Sequence, residues 1–69
     1  MGRESAQQQT ARIIAAVTLP QHRVLGGGDA FIIEAGNEEE QYQLTLDLAK
    51  AVKADVVQLS NGIYILLHD

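Results

Sequence analysis

Near its end the chain carries an unbroken apolar run, Ile63-Tyr64-Ile65-Leu66-Leu67. Successive side chains of a strand point to opposite faces of a sheet, so a strand with this sequence presents apolar groups on both faces. A helix can cover one face, and the other face then needs a second cover or an interface. The run therefore predicts a strand buried from both sides, or a strand that contacts a partner on its second face.

A turn signal immediately precedes this run. Ser60-Asn61-Gly62 separates it from the branched, apolar stretch 56–59. Asn-Gly commonly supplies the two positive-φ positions of a type I′ turn. The sequence therefore predicts a β-hairpin over residues 56–67.

An amphipathic helix is predicted to begin after Gly36. Asn37 is a good N-cap, and the acidic residues 38–40 lie where the helix dipole stabilises negative charge. At 100° per residue, a broad apolar side forms opposite a polar side. The apolar side comprises Tyr42, Leu44, Leu46, Leu48, Ala49, Ala51 and Val52. This arc is wider than one sheet contact needs, so part of it is available for a second surface.

The first half of the chain is ambiguous between helix and strand. Residues 10–19 contain branched side chains suited to a strand, but Ser5-Ala6-Gln7-Gln8 resembles a capping box and Ala, Gln and Arg favour a helix. We predict a helix that ends at Pro20. Shifting the sequence by about 35 positions aligns several apolar residues of the two halves, which suggests an internal repeat.

These elements predict a single α+β domain over residues 1–69, with residues 1–4 as a disordered tail. The preferred architecture is a two-layer αββαββ fold, in which two αββ halves place both helices on one face of a mainly antiparallel sheet. The alternative is ββαββ, with residues 10–19 as an edge strand.

Three consecutive glycines followed by an acid raise the question of an anion site. Gly26, Gly27, Gly28 and Asp29 lead into Phe31-Ile32-Ile33, which is a strand pattern. A phosphate loop needs a following helix N-terminus or a Lys-Ser/Thr pair, and neither is present. The sequence favours a hairpin turn between residues 23–25 and 31–33, with contact to a small ligand or anion as the alternative.

Composition excludes several classes of function. The net charge of −4 argues against nucleic-acid binding, which needs a surplus of Lys and Arg. The absence of cysteine excludes disulfides and Cys-based zinc sites. No apolar run approaches the roughly 20 residues of a membrane span, and the N-terminal residues do not form a signal peptide. The expected location is cytoplasmic, without cofactor or membrane contact.

No residue pattern indicates catalysis or a metal. His22 and His68 do not lie at a metal-ligand spacing, although Asp29, Glu34 or Asp69 could in principle join them. The acids 38–40 fit helix capping better than acid–base catalysis, which needs a desolvated carboxyl group. The serines and threonines lie in no nucleophile motif. We therefore predict that the chain is not an enzyme.

The function predicted from the sequence is that of a non-catalytic, self-associating interaction module, which acts as an adaptor, regulatory or assembly subunit. A chain of 69 residues has little room to bury its apolar surface alone, so a second copy is an attractive source of stability. The predicted interface comprises Ile63, Tyr64, Ile65, Leu66, Leu67 and Tyr42. The alternatives are a small-ligand sensory domain that uses residues 26–29 and a structural protein of a virus or mobile element.

Overall fold

The computed structural model describes residues 11–68. Its elements are β1 (Arg12–Thr18), β2 (Phe31–Glu34), α1 (Glu38–Val52), β3 (Asp55–Gln58) and β4 (Tyr64–His68). The helix packs against one face of a four-stranded sheet, which confirms the predicted two-layer α+β class. The predicted tail over residues 1–4 and the predicted helix start at Ser5 lie outside the described residues.

The sheet is mixed, with the strand order β2-β1-β4-β3. β1 runs parallel to β2, and β4 pairs antiparallel with both β1 and β3. β1 and β4 are therefore the central strands, and β2 and β3 form the edges of the described sheet.

The predicted first helix is wrong, because residues 12–18 form strand β1. Ala15 and Val17 belong to the core under α1, whereas the intervening Ala16 is buried on the other face. Burial on both faces overrides the helix propensity of Ala and Arg. The order ββαββ matches the alternative prediction, but β1 lies inside the sheet and not at its edge. The proposed internal repeat also fails, because a strand stands where the repeat requires a helix.

The C-terminal hairpin is confirmed, although its turn differs from the predicted type I′. Leu59 O accepts a hydrogen bond from Gly62 N at 2.9 Å, and Leu59 N donates to Ile63 O at 2.8 Å. Gly62 has φ 97°, whereas Asn61 is not among the residues with positive φ. Asn61 contributes its side chain instead, with Oδ1 accepting from Ile63 N at 3.1 Å. The turn is therefore a three-residue loop with a glycine bulge.

A long connection joins β1 to β2 and contains the three glycines. It begins with a turn in which His22 N donates to Leu19 O at 3.0 Å, so Pro20 occupies a position that its fixed φ favours. The predicted hairpin between residues 23–25 and 31–33 is wrong, because β2 pairs parallel with β1 and residues 23–25 are not a strand. Parallel neighbours need a long crossover, which explains why this loop cannot be a tight turn.

Helix α1 begins where the sequence predicts. Asn37 Oδ1 accepts from Glu40 N at 2.8 Å, and Glu40 Oε1 accepts from Gly36 N at 2.7 Å. The helix ends at Lys53, which adopts φ 56° and donates its N–H to Ala49 O. Both caps satisfy backbone groups that a helix end leaves unpaired.

The sheet register arranges side chains in rows across the four strands. On the helix face, one row joins Ile33, Val17, Tyr64 and Gln58, and the next joins Phe31, Ala15, Leu66 and Val56. On the opposite face, which we call the open face, a row joins Ile32, Ala16, Ile65 and Val57. Val17 and Leu66 are fully buried and form the centre of the core.

The geometry at Gly62 makes this residue sensitive to substitution. We expect Gly62→Ala to lower the free energy of unfolding by about 1–2 kcal/mol, because a Cβ is strained at positive φ. The added Cβ would also lie 3.4 Å from His22 Nε2. Urea unfolding of Gly26→Ala provides the control. A Cβ added to Gly26 would meet no atom within 4 Å, so this substitution should change the free energy of unfolding by less than about 0.5 kcal/mol. Equal effects of the two substitutions would contradict this account of the turn.

Candidate functional site

The side chain of Gln41 joins three elements at one end of the sheet. Its Nε2 donates to Val17 O in β1 and to Gly62 O in the hairpin turn, both at 2.9 Å. Gln41 is 2% exposed, so these bonds are sheltered from water. One helix turn further, Thr45 Oγ1 donates to Gln41 O at 2.7 Å. The amide group therefore fixes the helix against both a central strand and the hairpin.

His22 ties the β1–β2 connection to the same hairpin turn. Leu19 N donates to His22 Nδ1 at 2.9 Å, so Nδ1 must be the acceptor nitrogen of the ring. In the neutral ring the proton therefore resides on Nε2, which lies 2.7 Å from Asn61 O and donates to it. We call Gln41 and His22 together the polar bracket. It holds the end of β1, the start of α1 and the β3–β4 turn in one arrangement.

The polar bracket lies at a shallow cleft of about 170 Å³. Its lining residues are Leu19, Gln21, His22, Glu38, Gln41, Gln58, Asn61, Gly62 and Tyr64. The volume is below the roughly 300 Å³ at which small-molecule pockets begin. Because the hydrogen bonds of the Gln41 and His22 side chains join parts of the fold to one another, we assign these two residues a structural role.

The sequence pattern did not predict the polar bracket. The predicted apolar side of α1 included Tyr42, which is 54% exposed, whereas Gln41 and Thr45 are buried. The i, i+4 spacing of Gln41 and Thr45, continued by the partly buried Leu48 and Ala49, marks the true inner face. A polar residue in line with an apolar stripe is the signal that could have identified it.

The glycine loop, residues 26–29, is exposed to solvent. Gly26, Gly27, Gly28 and Asp29 are exposed, and strand β2 follows them rather than a helix. Gly28 has φ 60°, and a Cβ added to Gly27 would lie 3.1 Å from Ile32 Cδ1. The glycines thus allow a left-handed turn and a close approach to β2. Ligand contact by this loop stays a prediction.

The structure separates the residues of the predicted interface. Ile63 and Leu66 are buried, at 8% and 0% exposure, and Tyr64 contacts Tyr42 with ring centroids 6.3 Å apart. Ile65 and Leu67 alternate with Leu66, so they lie on the open face, where both are half-buried. Because β4 has a strand on each side, its backbone is not a free edge for pairing with another copy. The role of these side chains at an interface stays a prediction.

Apart from Ile13 in β1 and Tyr42 in α1, the exposed large apolar side chains of the described residues belong to the β1–β2 connection with β2, or to residues 52–59. On the β2 side, Leu25 is 88% exposed and Phe31 57%, with Val24 and Ile32 beside them in sequence. We call these four residues the loop–β2 surface. It extends around the edge of the described sheet, because Phe31 lies on the helix face and Ile32 on the open face. On the β3 side, the exposed apolar residues are Val52, Val56, Val57 and Leu59. Isolated exposed apolar groups are ordinary, but clusters of them indicate contact surfaces.

The described residues contain no group of three or more His, Asp or Glu side chains that could hold a metal ion. His68 is exposed in β4, far in sequence from the bracket residue His22. Among residues 11–68, no helix has the length and apolar character needed to cross a membrane.

We expect Gln41→Met to destabilise the fold by about 1–3 kcal/mol, because it removes the two side-chain hydrogen bonds to Val17 O and Gly62 O. Gln43→Met is the matched control on the same helix. Gln43 is exposed and bonds only to Asp47, at 3.1 Å, so its loss should cost less than about 0.5 kcal/mol. Chemical denaturation of both variants measures the difference, and equal midpoints would show that the amide bridge contributes nothing.

Comparison with known proteins assigns the chain to a family. No curated protein and no solved structure matches the sequence. Residues 10–69 match the family described as "Capping complex subunit for YIEGIA". This match includes every described element of the fold, and the chain therefore belongs to the family of capping complex subunits for YIEGIA.

Proposed function

We propose that this chain is a non-catalytic assembly subunit whose task is to bind other proteins, including the component that its family description calls YIEGIA. Membership of a family of complex subunits supports this role. The described side chains also favour it, since the most sheltered polar groups, Gln41 and Thr45, donate to backbone carbonyls.

The observation that carries the proposal is the exposure of the loop–β2 surface. Leu25 is 88% exposed and Phe31 57%, which leaves large apolar groups in water. Burial of one such side chain is worth about 1.5–3 kcal/mol, so a partner that covers the surface gains substantial binding energy. Aromatic residues such as Phe31 often act as anchors at protein interfaces.

The loop–β2 surface is also shaped for contact. A Cβ added to Gly27 would lie 3.1 Å from Ile32 Cδ1, so the loop approaches β2 at Ile32. β2 is an edge strand of the described sheet, so an extended segment of a partner can pair with its backbone. The surface thus offers both apolar side chains and backbone hydrogen-bonding groups.

Self-association is part of the proposed function. A short chain with apolar clusters at two separate edges of its sheet can contact a partner at one edge and a second copy at the other. In this proposal the YIEGIA component binds to the loop–β2 surface, and a second copy of the chain binds to the β3 edge.

Substitution of Phe31 tests the partner surface. We expect Phe31→Ser to weaken binding of the co-expressed YIEGIA component by at least about tenfold, which corresponds to 1.4 kcal/mol. Tyr42→Ser is the control, because Tyr42 is an aromatic residue of nearly equal exposure, 54% against 57%, on the helix. Binding is measured by titration of the purified subunits after circular dichroism has confirmed that both variants fold.

Two results would contradict the proposal. If Phe31→Ser retains binding and Tyr42→Ser loses it, the partner binds to helix α1 and not to the loop–β2 surface. If neither the wild-type chain nor its variants bind the YIEGIA component, the proposed assembly role is wrong.

A further inference from the structure

Strand β3 presents unused backbone groups at the edge of the described sheet. Leu59 N donates to Ile63 O at 2.8 Å, which fixes the alternation of hydrogen bonds along the β3–β4 pair. Residues two apart in an antiparallel strand face the same neighbour, so Val57 also faces β4 through its backbone. The N–H and C=O of Val56 and Gln58 consequently point away from β4. Within residues 11–68, β3 has β4 as its single neighbour.

This edge lacks the features that usually prevent strands from pairing. All four residues of β3 are exposed, and the strand contains neither proline nor a bulge in its pairing with β4. Val56 and Val57 are 38% and 41% exposed, on opposite faces of the sheet. Its only charged residue is Asp55, at one end. A strand of this kind is a template for another strand.

The sequence of β3 is complementary to itself in the antiparallel register centred on Val57. A twofold axis perpendicular to the sheet keeps each side chain on its own face, so residues of the same parity must lie opposite each other. With the axis at Val57, Val56 lies opposite Gln58 of the second copy, and each of these pairs exchanges two backbone hydrogen bonds. An axis at Val56 instead requires a bond from Ala54 N, which already donates to Ala49 O at 3.0 Å.

Side chains and charges also fit the register centred on Val57. Val57 lies opposite its own copy in the close, non-hydrogen-bonded type of pair. The open-face row of Ile32, Ala16, Ile65 and Val57 then continues directly into the same row of the second copy. Asp55 lies opposite Leu59 of the second copy, so four residues separate the two Asp55 side chains along the strand direction. At about 3.3 Å per residue the carboxylates are about 13 Å apart, which is beyond the screening length of about 8 Å in physiological salt.

We propose that two copies of this chain pair antiparallel through β3, with the twofold axis at Val57, and form one continuous eight-stranded sheet with both helices on the same face. This inference deepens the self-association in the proposed function. Because a four-residue strand buries little area, the dimer is expected to be weak and to form at high protein concentration.

Single-cysteine crosslinking tests the register, and the chain contains no other cysteine. In this register the Cα atoms of the two copies of residue 57 lie about 4.5 Å apart, within disulfide range, whereas those of residue 56 lie beyond about 7 Å. We expect Val57→Cys to form a disulfide-linked dimer much faster than Val56→Cys under mild oxidation. Val24→Cys controls for random collision, because Val24 and Val57 are both 41% exposed. Equal rates for the three variants, or the fastest rate at residue 56, would overturn the proposal.

A charge substitution separates this dimer from partner binding. The wild-type mass in sedimentation equilibrium should rise towards that of a dimer with concentration, and Val57→Lys should remain monomeric. Val24→Lys should dimerise as the wild type does and should lose the YIEGIA component. If Val57→Lys dimerises normally, the β3 pairing is wrong, while loss of partner binding in Val24→Lys would still support the proposed function.

Discussion

The side-chain amide of Gln41 is the interaction on which the arrangement of this fold depends. A single –NH2 group donates to Val17 O in a central strand and to Gly62 O in the hairpin turn, each at 2.9 Å. The loss of both hydrogen bonds would cost about 1–3 kcal/mol of free energy. For a chain of this size, such a cost is a large part of the total stability. The helix therefore has one favourable position on the sheet, and His22 fixes the β1–β2 connection to the same turn.

This position of the helix determines which surfaces remain for partners. α1 contacts β1, β3 and β4, which leaves Phe31 of β2 57% exposed although it lies on the helix face. The β1–β2 connection adds Leu25, which is 88% exposed, and residues 52–59 add a second exposed apolar set at the opposite edge of the described sheet. The fold exposes apolar side chains at two edges of its sheet, while the polar side chains of Gln41 and His22 bond within the fold. Such a fold suits a subunit that contacts two neighbours. The proposed pairing through β3 would also join the open faces of two copies into one larger apolar surface.

The sequence predicted the second half of the fold much better than the first. Helix α1 and the β3–β4 hairpin follow from local signals, namely the Asn37 cap and the Gly62 turn, which act within a few residues. The conformation of β1 depends on contacts made far along the chain. β2 and β4 pair with its two edges and α1 covers one of its faces, which overrides the local helix propensity. The polar bracket is non-local too, since Gln41 bonds across 24 and 21 residues. No local pattern encodes such partners, although the buried i, i+4 line of Gln41 and Thr45 gives a partial signal.

Hydrogen exchange of side-chain amides, measured by NMR on the ¹⁵N-labelled chain, tests the central interaction most directly. Gln41 and Gln43 lie two positions apart on the same helix, but only the Gln41 amide donates to two sheltered carbonyl groups. Both Nε2 protons of Gln41 are predicted to exchange with solvent clearly more slowly than those of Gln43. Equal exchange rates for the two side chains would contradict the bridge, and with it this explanation of how the helix is held on the sheet.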